Sequence, residues 1–391
     1  MTDLLLAYDF PPIGGGIARW MAELALRYPA GSLVVSTGSL PNAADGRFPN
    51  PIDRIGLPSG RLKTLQGLWA WRRRVRDLVN RHRVDFVWCG NLRPAAYVAA
   101  RTRQRDGIPY GVLLHGGDLL RLRAKFARSP LKRRSARALL GGAAMLVGNS
   151  PWTADLIGDV LKVLNLDPAD RVRVVPLGSD PTAFRPGLDP APVISRYQIQ
   201  PSRARLLTVA RLVPHKGIDV AIAAVAALRD RVPGLTYLVV GRGPDRARLA
   251  GLVASLGLGP VVQFLDRVPD DDLPAIYAGA DLYLGLSREE GLEAEGFGIA
   301  LTDAAASGVA VIAGRGGGTT AAVLDRETGL LVDPQDAVAV ASAVVSLLDD
   351  PIRRRSLGDA GRRWVERDRN WDRVVRDLQA LSRSAATVAR R

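Results

Sequence analysis

The chain opens on an unbroken apolar run, LLLAYDF, which enters Pro11-Pro12 and Gly14-Gly15-Gly16 and is followed by a helical stretch over 17–27. A run without polar alternation is buried on both faces, so it predicts a strand inside a parallel sheet. The same pattern recurs at SLVVST, DFVWCGN, YGVLLHGG, AMLVGNS and RVRVVPLG, with helical stretches over 62–82, 93–106, 128–141 and 152–164. Between Asp180 and Pro201 the period lapses into a Pro-rich stretch that reads as a linker. A second series follows: ARLLTVARL, LTYLVVGRG, VVQFLDRV, ADLYLGLS, VAVIAG and GLLVDP, with helices predicted over 217–231, 244–256, 270–279 and 299–307. The last forty residues are helical, with Val374, Val375, Leu378 and Leu381 on one face.

Strands and helices in alternation predict α/β architecture: two doubly wound domains, each a parallel sheet covered on both faces. Ligands of such sheets bind at the carboxyl ends of the strands, so two in tandem predict a cleft between them. The expected domains are 1–186 and 187–371, with a C-terminal helix over 372–391 packing back toward the first. The GGGIAR loop is not GxGxxG, and no acid ends a second strand about 20 residues on, so a dinucleotide fingerprint is absent.

Composition changes the picture in two places. The net charge is +15, and residues 1–187 hold 28 Lys/Arg against 14 Asp/Glu, so the excess sits in the first half. It gathers at Arg72, Arg73, Arg74, Arg76, Arg81 and Arg83 and again at Arg121, Arg123, Lys125, Arg128, Lys132, Arg133, Arg134 and Arg137. Such a face suits anionic lipid or a phosphorylated substrate. Trp69 and Trp71 precede the first cluster as core anchors, and without further aromatics among the arginines no nucleic-acid partner is expected. A single cysteine, Cys89, excludes an intrachain disulfide and reads as core filler. No apolar run of about 18 residues appears, and the N-terminus carries acids where a signal peptide carries Lys or Arg. The expectation is a cytoplasmic protein, peripheral at the inner face of the membrane.

The candidate chemistry collects at strand ends. Arg211 follows LLTVA, and Lys216 precedes Gly217 at a helix start; two cations beside a helix N-terminus suit a diphosphate. Glu295 stands before the turn Gly296-Phe297-Gly298, which opens a helix whose amides can meet phosphate or sugar oxygens. Asp303 lies about two turns along that helix, placing a second carboxylate for the same ligand. His115 ends YGVLLHGG and is the histidine best placed to touch substrate. No His, Cys and carboxylate cluster has metal-ligand spacing, and no DxD pair ends a strand, so no metal is expected. The acid run Asp270-Asp271-Asp272 reads as helix capping.

Nine segments in order (the GGG loop, LLHGGD, GNSPWTADLI, VVPLGSDPTAFRP, LLTVARLVPHKGID, LVVGRGPDRARL, VQFLDRVPDDDLPAIYAGADLYL, EGFGIALTDAAASGVAVIAG and ETGLLVDP) resemble the retaining nucleotide-sugar glycosyltransferases of family 4. GLEAEGFGI is most similar to the phosphatidylinositol mannoside mannosyltransferase branch. The resemblance implies the GT-B fold of two Rossmann-like domains facing across a deep cleft. It also implies hexosyl transfer, with mannose as a candidate hexose, from a GDP- or UDP-sugar to a lipid-linked or saccharide acceptor, without metal or other cofactor. In that pattern Arg211 and Lys216 bind the donor diphosphate, and the backbone of Gly15 and Gly16 closes over it. Glu295 holds sugar hydroxyls, Gly296, Phe297 and Gly298 meet sugar and phosphate, Arg267 and Val268 border the base, and His115 lies near the reacting sugar. The pattern's second Glu is here Asp303, at the place expected to hold the ribose, and its Glu near the last glycine loop is Ala321. A degenerate nucleotide-sugar-binding protein without turnover is the alternative these departures leave open.

Overall fold

The computed structural model describes residues 1–56, 61–126, 129–168 and 170–390, with backbone alone at 61–65 and 390. Arg128, counted in the second basic cluster, lies outside the described residues. The strands are β1 (Thr2–Ala7), β2 (Leu33–Gly38), β3 (Ile52–Ile55), β4 (Val84–Cys89), β5 (Tyr110–Leu114), β6 (Met145–Gly148), β7 (Val172–Val174), β8 (Ala204–Val209), β9 (Leu235–Val240), β10 (Val262–Leu265), β11 (Leu282–Gly285), β12 (Ala310–Gly314) and β13 (Gly329–Val332). They form two sheets, ordered β3-β2-β1-β4-β5-β6-β7 and β10-β9-β8-β11-β12-β13. Every strand pair is parallel. Each order reverses beside its unit's first strand, between β1 and β4 and between β8 and β11. These are the switch points where such sheets take ligands.

The chain divides into Met1–Val175 with Trp371–Arg391, and Pro176–Asn370. The boundary falls before the expected 186/187 because the intervening residues are held by the second unit. Ser179 N–H donates to Arg369 O at 2.8 Å, and the Arg362 guanidinium donates to Phe184 O at 3.1 Å and Pro181 O at 3.3 Å. The expected linker also contains a short helix, Ala191–Arg196.

In the first unit the helix Trp371–Arg390 is tied to β1: Ser382 Oγ donates to Asp3 Oδ2 at 2.8 Å. Tyr28 Oη and Trp88 Nε1 donate to the same carboxylate at 3.1 and 3.2 Å. Burial pushes the Asp3 carboxyl up to about 6 against the pull of these three donors, with the Asp85 charge adding to the rise. Cys89 is fully buried, and burial pushes its thiol up.

The apolar-run pattern misses β3, because IDRI is a short edge strand whose charges are paired locally. Arg54 donates to both oxygens of Asp45 at 2.7 Å, and Arg74 pairs with Asp53. It also misses the helix Gly117–Phe126. Of the two expected core anchors only Trp71 is buried, its Nε1 donating to Ser36 Oγ at 2.9 Å. Trp69 is 63% exposed, since residues two apart in a helix point to different faces.

Candidate nucleotide-sugar site

In the second unit, β8 delivers Arg211 to the carboxyl edge of the sheet. The guanidinium is exposed and, among the described residues, has no hydrogen-bond or salt-bridge partner. A single 3-10 turn, Pro214–Lys216, then leads to Gly217 in the left-handed region (φ 66°), where the helix Ile218–Leu228 begins. Only glycine fits there: a Cβ at Gly217 would lie 2.0 Å from Leu286 O. That contact presses the turn bearing Lys216 against the end of β11.

Across the switch point, the loop after β11 brings Glu295 to Lys216. The Lys216 ammonium donates to Glu295 Oε2, and Ser287 Oγ donates to the same oxygen at 3.5 Å. Both partners are mostly covered, with side-chain exposures of 16% and 21%. Burial pushes the Glu295 carboxyl up, but the charge and hydrogen bond of Lys216, with His215 and Arg211 behind it, outweigh burial and hold it below the ordinary range. The buried His215 imidazole is held down by desolvation and by the neighbouring Lys216 charge. Glu295 is also fixed through its backbone: Gly318 N–H donates to Glu295 O at 2.7 Å, and a Cβ at Gly317 would lie 2.6 Å from that oxygen. Beyond it Gly296, Phe297 and Gly298 are buried, and Gly298 (φ 99°) caps the helix Ile299–Ala306 without any side-chain cap. A helix that starts on glycine leaves its first amides for another acceptor.

Asp303 does not share this surface. Its side chain is buried, 2% exposed, with Oδ1 accepting from Ser179 Oγ at 2.5 Å. Arg267 and Val268 follow β10, the arginine exposed and the valine half-buried. The acid run does not cap the helix Leu273–Ala278 with a side chain. Asp272 instead takes Arg196 Nη1 at 2.8 and 2.7 Å and pairs with Tyr197. Ala321 lies buried in the 3-10 turn Thr319–Ala321.

In the first unit His115 follows β5 and is half-buried. Its Nε2 lies 2.7 Å from Gly90 O. A carbonyl only accepts, so Nε2 carries a proton and donates this bond, which leaves Nδ1 as the ring nitrogen available to a ligand. The edge of Trp20 meets the imidazole at a centroid distance of 5.1 Å and 88° between planes. Asp118 Oδ1 accepts the backbone N–H groups of His115 at 3.2 Å and Leu119 at 3.0 Å, fixing the turn. Gly15 (φ 115°) caps the helix Gly16–Arg27, again without a side-chain cap, and Gly14, Gly15 and Gly16 are exposed. The helices Gly117–Phe126 and Pro130–Gly142 present Arg121, Arg123, Lys125, Lys132, Arg133, Arg134 and Arg137 to solvent, with Leu131 78% exposed among them.

The structure therefore brings Lys216 and Glu295 together, sets Arg211 and the glycine-capped helix on the same sheet edge, and withdraws Asp303. Residue-by-residue reading misses Ser287, Arg288, Asp219 and Ser179. Ser287 and Arg288 carried a usable signal, since Ser287 ends the run ADLYLGLS at a strand end and Arg288 follows it directly. Among the described residues no group of three or more His, Cys, Asp or Glu side chains is placed to hold a metal, and no helix is long and apolar enough to cross a membrane.

Two parallel-sheet units with these loops define the GT-B class of glycosyltransferase. Residues 14–183 match the model of Glycosyltransferase Family 4 and residues 194–364 that of Glycosyl transferases group 1, and the chain belongs to glycosyltransferase family 4. It is similar to the GDP-mannose-dependent alpha-(1-6)-phosphatidylinositol monomannoside mannosyltransferase of Mycobacterium tuberculosis, 31% identical over 96% of each chain. It is also similar to the D-inositol 3-phosphate glycosyltransferase of Salinispora tropica, 38% identical over 60% of this chain and 50% of that protein. In fold it matches sucrose-phosphate synthase from Thermosynechococcus elongatus, with a TM-score of 0.81, 24% identity and 99% of each chain covered.

Proposed function

We propose that this glycosyltransferase moves a hexose, with retention of anomeric configuration and without a metal, from a nucleotide-diphosphate sugar to a lipid-linked acceptor in glycolipid synthesis. The observation that carries the reading is the Lys216–Glu295 pair at the switch point of the second sheet, beside an unpaired Arg211 and a glycine-capped helix. GDP-mannose is the donor proposed, on the strength of the mannosyltransferases among its relatives. As the sugar C1–O bond breaks, its electron pair goes to the diphosphate, and Lys216 and Arg211 stabilise that charge in place of a metal. The acceptor hydroxyl adds to C1 on the same face, and its proton passes to the leaving phosphate. Glu295 and the amides of Gly296, Phe297 and Gly298 hold the sugar and phosphate, while Arg267 and Val268 border the base. His115 is assigned to the reacting sugar through Nδ1, and the Gly15 and Gly16 backbone to the phosphate. Asp303 reaches ribose only by sharing or breaking its bond with Ser179. The exposed basic helices of the first unit are assigned to an anionic membrane surface carrying the acceptor.

A thermal-shift panel of GDP, UDP and ADP in chelator tests the donor assignment, because a ligand of the folded state raises Tm with occupancy. GDP is expected to give the largest rise. No rise with any of the three would refute the site.

A further inference from the structure

Behind the Lys216–Glu295 pair runs a chain of charges that none of the roles above uses. Asp219 lies in the first turn of the helix that starts at Gly217, and its carboxylate takes Arg288 in fork-to-fork fashion, Nη1 to Oδ1 at 2.9 Å and Nη2 to Oδ2 at 3.2 Å. Its own turn adds Val220 N–H to Oδ1 at 3.0 Å. Arg248 Nη2 approaches Oδ2 at 3.4 Å while its Nε and Nη2 bind Asp245 at 2.6 and 2.7 Å, and Arg288 Nε binds Glu290 Oε2 at 3.1 Å. The order is Glu290, Arg288, Asp219, Arg248, Asp245, alternating in sign throughout.

The five members come from three segments that follow strands at the carboxyl edge of the sheet. Asp219 follows β8, Asp245 follows β9, and Arg288 and Glu290 follow β11. Backbone bonds run alongside: Arg288 N–H donates to His215 O at 2.9 Å, and Asp245 N–H to Leu212 O at 3.1 Å. The charge chain thus grips both neighbours of the reactive pair, with Asp219 and His215 flanking Lys216, and Ser287 and Arg288 leading to Glu295. The fork is mostly covered, at 13% and 21% side-chain exposure, and planar bidentate pairing fixes orientation as well as distance.

We infer that Asp219, clamped by Arg288, is a positioning residue of the donor site: it fixes the loop bearing Lys216 against the loop bearing Glu295, so that the ammonium is aimed where a donor diphosphate sits. This rests on the donor-site reading of Lys216 given above. A point charge that holds the fold without aiming Lys216 would have a different signature.

The test is calorimetric titration of GDP, with UDP as second probe, into wild type, Lys216→Ala, Asp219→Ala, Arg288→Ala and the Lys216→Ala/Asp219→Ala double variant. Lys216→Ala and Asp219→Ala are each expected to weaken Kd at least tenfold with binding stoichiometry still near one, and Arg288→Ala to follow Asp219→Ala. The double variant is expected within about twofold of Lys216→Ala alone, because a residue acting through Lys216 has nothing left to aim. A purely structural role predicts lowered stoichiometry at unchanged Kd, and that result overturns the inference. So does an additive loss in the double variant, or an Asp219→Ala affinity within twofold of wild type while Lys216→Ala is impaired; either leaves the donor site standing. If Lys216→Ala binds both nucleotides as wild type does, the donor-site reading falls and the inference with it. Should Asp219→Ala fail to fold, Asp219→Asn keeps the shape, loses the charge and carries the same expectations.

Discussion

A Cβ added at Gly217, Gly241 or Gly243 in the second unit would lie 2.0, 1.9 or 2.0 Å from the backbone oxygen of Leu286, Ala210 or Leu212; one added at Gly14 or Gly15 in the first would meet nothing within 4 Å. Both sheet edges are glycine-rich, yet the glycines do different work. In the second unit they let neighbouring loops touch backbone to backbone, and the loops so joined carry Arg211, Lys216 and Glu295. In the first unit Gly15 is required by its conformation alone (φ 115°), and the space beside it is empty. One edge is organised before any ligand arrives. In the other, the loop of Gly14 and Gly15 keeps room for backbone approach, with His115 held separately by Gly90 O, Trp20 and Asp118.

The largest effect that would break this contrast is on stability. Gly241→Ala combines a 1.9 Å overlap with φ 142°, and is expected to cost roughly 3 kcal/mol or more, whereas Gly14→Ala should stay within about 0.5 kcal/mol. Urea unfolding of the two variants checks both; equal losses would remove the distinction between packing and open glycines.

Next in size is a pH effect confined to the first unit. Asp3 holds its proton more tightly folded, near 6, than unfolded, near 3.8. Its contribution is therefore fully present below the unfolded value and is lost as pH rises through about 6. At about 1.4 kcal/mol per unit, wild type should lose up to about 3 kcal/mol between pH 4 and 7 relative to Asp3→Asn. Chemical denaturation of both proteins across that range measures it, and parallel curves would contradict the assignment.

Smallest is the expected effect of His115→Ala: about tenfold lower turnover, with nucleoside diphosphate affinity unchanged, because His115 is assigned to the sugar and not to the diphosphate. Steady-state rates beside calorimetry decide it; a matched loss of affinity would move His115 to the diphosphate.

Much of this was legible in the chain. Buried parallel strands announce themselves as unbroken apolar runs, and the strands that deliver Arg211, Glu295 and His115 are of that kind. What escaped was pairing over distance. Asp303 reads as a second open carboxylate until Ser179, from the stretch read as linker, is found bonded to it. Asp219 and Arg288 are ordinary surface charges in sequence, and only the adjacency of β8 and β11 makes them a clamp. Asp3 looks like an N-terminal charge until the C-terminal helix lays Ser382 on it. Local period carries strand and helix; it carries nothing about which distant group will satisfy a buried polar atom.

Sugar transfer at the Lys216–Glu295 pair is tested most directly by the anomeric configuration of the product formed from GDP-mannose, followed by proton NMR in chelator, with Lys216→Ala run beside wild type. The α configuration of the donor should be retained, with the rate in Lys216→Ala about a hundredfold lower or less, corresponding to roughly 3 kcal/mol of lost transition-state stabilisation. An inverted product, or a Lys216→Ala rate close to that of wild type, would contradict it.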